Sequence, residues 1–347
     1  MKKTLRVGIV GTGSIGMIHL ATYQRIPEYR VTAVCDTREA ALEQAKAKSG
    51  APGFADYRKL VEQKDVDIVA VCTPNHLHAP VAVAALEAGK HVFLEKPMAY
   101  NVKGAKQIIA ARDKSGKMVQ VGVCQRFRGD AQVLKAHIEQ GELGRIYFAK
   151  CGYLRRSGIP GMGGWFTTKA ESGGGPIVDL GVHALDLTMW LMDNFKPTSV
   201  TSCKYAEFGP RGLGGGDWGT PVSGGTFDVE DLAAALIRFE DGATVFLEVS
   251  WAAHVGAGKF YSTLMGDKAG ADLDPTTIYA DELGGPVDKK LSVPSVDAYE
   301  AEHKHFRDCL LRGTQPMPSV EEGLAVQAVL DAIQASAEKG TSVPVSL

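Results

Sequence analysis

Three short apolar runs, at residues 66–72, 92–94 and 118–123, recur in the first third of the chain with helix-patterned stretches between them. Apolar runs of this length without alternation belong to strands buried on both faces, and helices between them predict parallel pairing through crossovers. Two more strands are expected upstream, at 5–10 and 31–35. Helices are expected from near Met17, then over 39–48, 57–63, 79–88 and 102–115. After an amphipathic helix at 130–140, closed by Gly141, the pattern changes. Residues 146–154, 199–208, 231–239, 243–252 and 260–265 read as strands without crossover helices, and Asp241-Gly242 is a hairpin signal between two of them. The chain therefore reads as α/β followed by α+β. A doubly wound parallel sheet over residues 1–125 precedes a mostly antiparallel sheet domain over 126–347, which ends in helices at 298–311 and 320–339.

Length agrees with two domains, since 347 residues exceed one ordinary core. A net charge of -2 argues against nucleic acid as a partner. No apolar run approaches the ~20 residues that span a bilayer, and no signal-peptide core follows Met1-Lys2-Lys3. The six cysteines are scattered without a C-x-x-C pair, so reduced, buried thiols in a cytoplasmic protein are expected rather than a disulfide framework or a metal site.

The chemistry begins at Gly11-Thr12-Gly13-Ser14-Ile15-Gly16, which stands between a strand and a helix, as a dinucleotide fingerprint must. Gly11 makes the tight turn, Gly13 lets backbone approach a pyrophosphate, Gly16 lets the helix pack on the strand, and the helix N-terminus supplies N–H groups to the phosphates. This identifies the first domain as Rossmann-like. Asp36 ends the second strand, at the spacing where a carboxylate meets the adenine ribose; it favours NAD over NADP. Thr37 and Arg38 follow, and Arg38 is the residue that would hold a 2′-phosphate. Thr73, Pro74, Asn75 and His78 stand at the end of the third long strand, within reach of a cofactor, although Asn75 also suits a helix cap. Glu95-Lys96-Pro97 ends the 92–94 run. Pro97 stops the strand and makes the Lys96–Pro97 peptide a candidate cis bond. Alone, Lys96 reads equally as a surface charge or as an amine over a cofactor. Gln125 and Arg126 lie where the chain leaves this domain.

Two glycine-rich loops, at 155–176 and 209–225, interrupt the second domain, and long loops in compact domains are usually functional. The first carries Arg155, Arg156, Trp165 and Lys169, candidate substrate contacts along with Arg126. After it, Asp179 and His183 are four apart; on a helix they share a face, where a carboxylate orients an imidazole. Asp186 follows three residues on. His76 and His78, and later His303 and His305, are two apart, a poor spacing for a metal.

The ordered set of Gly11–Gly16, Thr73-Pro74-Asn75-x-x-His78 and Glu95-Lys96-Pro97 resembles the glucose–fructose oxidoreductase, inositol dehydrogenase and rhizopine-catabolism (Gfo/Idh/MocA) family. The resemblance implies an open-faced second sheet that builds homo-oligomers, dimers or tetramers. It also implies catalytic roles for Lys96, Asp179 and His183, and hydride transfer between NAD(P) and a hydroxyl-bearing carbon of a sugar, inositol or related polyol. Lys96, Asp179 and His183 would then touch the substrate, and Glu95, Lys96 and Gln125 the cofactor. Two other readings go with the resemblance: a glycosidase that retains NAD and oxidises its substrate transiently, and a non-catalytic dinucleotide-binding protein.

Overall fold

The computed structural model describes residues 4–347. Two compact units divide the chain. One takes the chain as far as Val123 together with Ala170–Gly173 and Tyr299–Leu324; the other takes Cys124–Lys169, Gly174–Ala298 and Ala325–Leu347.

In the first unit the described strands are β1 (Leu5–Val10), β2 (Tyr29–Cys35), β3 (Gly53–Phe54), β4 (Ile68–Val71), β5 (His91–Glu95) and β6 (Val119–Gly122), ordered β3-β2-β1-β4-β5-β6. Every pairing among them is parallel. The order reverses between β1 and β4, so the switch point lies beyond their carboxyl ends, where open α/β sheets bind ligands. The crossovers carry α1 (Ser14–Arg25), α2 (Glu39–Ser49), α3 (Tyr57–Val61), α4 (His78–Glu87) and α5 (Val102–Ser115). β4 is buried throughout, as its unbroken apolar run required. One core gathers Val69, Val92 and Leu94 with Ala82 and Leu86 of α4, and another gathers Ile9, Leu20, Tyr23 and Phe93 with Phe306. The helix expected near Met17 opens three residues earlier, because the fingerprint itself forms its first turn behind Gly13. Asn101 caps α5 by accepting from the Gly104 N–H at 3.0 Å.

The second unit carries α6 (Gly129–Glu139), β7 (Ile146–Leu154) and the short α7 (Lys169–Ser172), which begins in it. A π-turn over Ile177–Gly181 leads into α8 (Val182–Leu191). β8 (Pro197–Tyr205), β9 (Leu232–Phe239), β10 (Thr244–Ser250), β11 (Lys259–Gly266), β12 (Ala269–Asp272), β13 (Thr277–Glu282), β14 (Gly285–Lys290) and β15 (Val343–Pro344) complete a sheet ordered β14-β13-β12-β11-β7-β10-β9-β8-β15. Its pairings are antiparallel except for β7 with β10. Strands β12 to β15 were not expected. β13 ends in Asp281-Glu282 and β14 in Asp288-Lys289-Lys290, neither carries an apolar stripe, and β15 is two residues long. α9 (Ala298–Arg312) and α10 (Val320–Lys339) follow, and α9 buries Phe306 in the first unit.

Val245, Leu247 and Val249 of β10 are buried, whereas the alternate Phe246 and Glu248 are half-buried. The register sets Phe246 beside Leu236 and Lys150, and Phe148 beside Met265. That face is therefore partly apolar and partly open. The glycine-rich loops are not structureless: each is fastened to the other. Ile159 pairs with Gly215, the Gly161 N–H donates to the Trp218 carbonyl at 2.7 Å, and the Val222 N–H donates to the Met162 carbonyl at 2.8 Å. Beneath them Ile159, Leu180, Val229, Trp251 and Ala252 form a small separate core.

Candidate functional site

At the switch point the fingerprint has the shape a dinucleotide needs. Gly11 takes φ +90°, and a Cβ there would stand 2.5 Å from the Cys72 carbonyl oxygen; a Cβ on Gly16 would stand 2.0 Å from that of Gly11. At Gly13 the nearest atom to such a Cβ is Arg38 Nη2, 3.5 Å away, which leaves room over the helix N-terminus. No side chain caps α1, so its first N–H groups remain for an anion. Ser14 is exposed and Ile15 partly so, with Thr12 buried beneath them.

Asp36 accepts from the Thr12 N–H and hydroxyl through Oδ2, at 2.9 and 3.1 Å, and from the Arg38 N–H through Oδ1 at 2.9 Å. Burial alone would raise its pKa, but the N–H groups of Arg38 and Thr12 and the Arg38 guanidinium outweigh it and hold the carboxyl below its usual range. Arg38 Nε lies 3.3 Å from Asp36 Oδ1, so the cation that would hold a 2′-phosphate is already engaged. Thr37 is exposed beside them. At the end of β4, Thr73 presents a buried hydroxyl without a hydrogen-bond partner, and Pro74 is partly exposed. These features fit NAD.

Three expected cofactor contacts do other work. Asn75 is buried and donates to the Ser172 carbonyl at 2.7 Å; it caps no helix. His78 is wholly buried, with Nδ1 2.7 Å from the Pro97 carbonyl oxygen and Nε2 2.9 Å from that of Thr73. Glu95 is buried against His19, whose Nε2 lies 2.6 Å from Oε1. Between Glu95 and the cis Lys96–Pro97 peptide, Lys96 is the one residue of 92–99 that is not buried.

In the second unit the run from Gly174 to Leu191 is buried except at two positions, Asp179 and His183. The π-turn places Asp179 in its middle, and π-turns inside helices recur at functional sites. Trp251 Nε1 donates to Asp179 Oδ2 at 2.8 Å, and the Trp251 ring is fully buried, so one carboxylate oxygen is held from the core. Glu230 Oε1 accepts from the N–H groups of Gly175 and Ile177, at 2.9 and 3.1 Å, and so anchors the start of the π-turn. Neither Trp251 nor Glu230 stands in a motif, and only the folded sheet brings them to this segment.

The expected substrate contacts divide. Arg126 is a core residue, wholly buried, with Nε 2.8 Å from Asp186 Oδ2 and Nη2 2.7 Å from Oδ1. That bidentate pair removes it from the substrate contacts and gives Asp186 a structural role. Arg155 lies over the Tyr153 ring and donates to the Tyr153 hydroxyl and the Gly158 carbonyl. Lys169 pairs with Glu338 at 2.7 Å. Trp165 stacks on Phe166 with ring centroids 3.8 Å apart, and Arg156 is exposed. The Gln125 amide oxygen accepts from Arg128 at 3.2 Å.

Comparison with known proteins agrees with the cradle. A family model described as an oxidoreductase family with an NAD-binding Rossmann fold matches residues 5–123, and one described as a GFO/IDH/MocA C-terminal domain matches 131–271. The chain is 33% identical over 353 residues to D-glucoside 3-dehydrogenase of Escherichia coli (strain K12), covering 98% of this chain and 97% of that protein. It is 29% identical over 356 residues to inositol 2-dehydrogenase of Salmonella typhimurium (strain LT2), covering 99% and 97%. In fold it resembles levoglucosan dehydrogenase solved with NADH and levoglucosan, at TM-score 0.87 and 23% identity over 99% of this chain and 100% of that one. The fingerprint, the strand-end lysine and these matches together make the chain a member of the Gfo/Idh/MocA family of NAD-binding oxidoreductases.

Proposed function

We propose that the protein is an NAD-dependent dehydrogenase of a sugar, inositol or related polyol, with Lys96, Asp179 and His183 as its reacting side chains. The observation that carries this reading is the pattern of exposure. In two otherwise buried runs, the chain keeps open only an amine in one, and a carboxylate and an imidazole in the other. When bound, NAD would supply the acceptor for the hydride that leaves the carbinol carbon. His183 takes the hydroxyl proton as general base, within the range imidazole covers. Lys96 supports the negative charge that develops on the oxygen. Asp179, held by Trp251, orients His183. Arg155 and Trp165, on the glycine-rich loop, are proposed to shape the substrate's surroundings, with Arg156 beside them. Gln125 is proposed to lie along the cofactor.

Relatives named as D-glucoside, inositol and levoglucosan dehydrogenases support the substrate class. The open sheet face around Phe246, Leu236 and Phe148 is proposed to join copies of the chain as a dimer or tetramer. The six cysteines, none in a disulfide, suit the cytoplasm.

The test is a panel of methyl glucosides, myo-inositol and levoglucosan with NAD and NADP, followed by nicotinamide absorbance. On the substrate found, Lys96→Met and His183→Ala should each lower kcat by ~10²–10⁴-fold, the usual contribution of acid–base groups, with NAD affinity kept. Release of the leaving group from aryl glycosides without net NADH would replace this reading with the NAD-retaining hydrolase.

A further inference from the structure

Two buried histidines lie on either side of Lys96 and touch its two sequence neighbours. His19, on α1 directly behind the fingerprint, reaches Glu95 through Nε2 at 2.6 Å. Its other nitrogen, Nδ1, lies 2.8 Å from Nε2 of His303 on α9. Glu95 in turn accepts from the Lys96 backbone N–H through Oε2, at 3.1 Å. On the far side His78 Nδ1 lies 2.7 Å from the Pro97 carbonyl oxygen. His19, His78 and His303 are all wholly inaccessible, and Glu95 nearly so.

An arrangement with both rings neutral satisfies this network. Glu95 as carboxylate only accepts, so His19 donates from Nε2, accepts at Nδ1, and takes the Nε2–H of His303. His303 Nδ1 then carries a lone pair, and it has no hydrogen-bond partner among the described residues. Burial holds His303 well below the ordinary imidazole range, which agrees with a neutral ring. Burial likewise lowers His78. A neutral His78 donates to one of its two carbonyls, and the shorter contact selects Pro97. In this arrangement the chain His303–His19–Glu95 ends in a buried lone pair on His303.

We infer that His19 and His78 are positioning residues for Lys96: His19 through the Glu95 carboxylate and His78 through the Pro97 carbonyl fix the backbone on both sides of the amine. The inference rests on the reading of Lys96 as a reacting residue. Physically it follows from where the bonds fall. A lysine has a long flexible stem, and what a protein can fix most firmly is the direction in which that stem leaves the backbone. Bonds at the preceding side chain and the following carbonyl fix that direction. The rings of Phe93, Tyr23 and Tyr299 lie around His19 and His303, and hydrogen bonds in such surroundings are stronger than in water.

The experiment uses the difference in reach between two amides. An Asn amide ends near where histidine carries Nδ1, a Gln amide near where it carries Nε2. His19→Gln therefore keeps a donor toward Glu95 and His19→Asn loses it, whereas His78→Asn keeps the donor toward Pro97 and His78→Gln loses it. In the full-length protein with NAD and the substrate from the panel, the two donor-losing variants should lose roughly tenfold to a hundredfold in kcat, the usual cost of an orienting partner, while NADH affinity and the donor-keeping variants stay near native. In the Lys96→Met background the same losses should largely vanish, because the histidines act through that amine. A second readout needs no sugar: the rate at which trinitrobenzenesulfonate modifies Lys96, measured by peptide mass. It should change in the donor-losing variants alone, while exposed lysines in the same digest keep their rates. If no sugar in the panel is oxidised, the function proposed above fails, and labelling still decides this inference. Equal behaviour of Asn and Gln at both positions, or losses that follow side-chain size and survive in the Lys96→Met background, would overturn it in favour of packing. Should one donor-losing variant fail to bind NADH for want of folding, the pair at the other position decides the matter in the same way.

Discussion

Arg126→Met breaks the buried pair of Arg126 and Asp186 from one side. The guanidinium makes two short bonds to Asp186, with side-chain exposures of 0% and 3%. The Trp190 and Phe195 rings lie 5.9 and 5.3 Å from its centre. Arg126→Met removes the cation that makes a bidentate pair with the buried Asp186 carboxylate. Breaking a buried pair from one side costs about 3–5 kcal/mol, a large part of the roughly 5–15 kcal/mol that holds a domain folded. The attraction of unit charges near 4 Å at an effective dielectric of 20, about 4 kcal/mol, gives the same scale. Arg126→Met with Asp186→Leu should recover most of the loss, since an apolar pair of similar volume often replaces a buried ion pair at little cost. Urea unfolding read by tryptophan fluorescence tests both, with Trp190 as a reporter beside the pair. If Arg126→Met unfolds like the native protein and instead raises KM for the sugar, the guanidinium reaches a ligand and the burial argument is wrong.

Two further predictions follow from groups whose charge the fold sets. Asp36→Ala should narrow the preference for NADH over NADPH by about tenfold, or ~1.4 kcal/mol, because it removes the ribose acceptor and releases Arg38 for a 2′-phosphate; titration by nicotinamide fluorescence reads it, and an unchanged ratio would mean that Asp36 does not face the ribose. For pH, burial holds His303 well below the ordinary imidazole value of about 6.5. The unfolded chain then takes up the proton first, so stability is level above that value and falls below it, by about 1.4 kcal/mol per pH unit for each such group until the folded-state pKa is reached. His78 and His305, lowered by burial, act in the same direction. His303→Gln should flatten part of the slope in unfolding measurements between neutral and mildly acid pH; an unchanged slope would show that His303 titrates normally in the fold.

Much of the fold was legible because its signals are local. Buried parallel strands carry unbroken apolar runs, and β7, expected at 146–154, is found at Ile146–Leu154. The fingerprint showed itself by glycines whose positions backbone geometry dictates. β13 and β14 were missed because a polar, half-exposed hairpin has neither period nor apolar run. The two glycine-rich loops read as structureless because their order comes from each other, through backbone bonds that leave no side-chain pattern.

The proposed site was legible only where a proposed reacting residue and its signal coincide. Lys96, Asp179 and His183 each stand in a recognisable spacing. What holds them does not, since His303 is 284 positions from His19, and Trp251 is 72 from Asp179. Such partners are chosen by topology. α9 reaches the first sheet only after the chain has completed most of the second, so no window of sequence contains both halves of the pair. The spacing rule that dismissed His303 and His305 as metal ligands asked whether two neighbours share a face. It did not ask what one of them meets across the core. Arg126 errs in the opposite direction, because a cation at a domain boundary looks like a ligand contact until its carboxylate, 60 positions away, is seen to close on it. The buried carboxylate of Glu95 joins both lessons. Sequence placed it beside the cofactor through its neighbour Lys96, whereas the fold buries it against His19, where it accepts from the Lys96 N–H, and leaves Lys96 the residue of the two that is not buried.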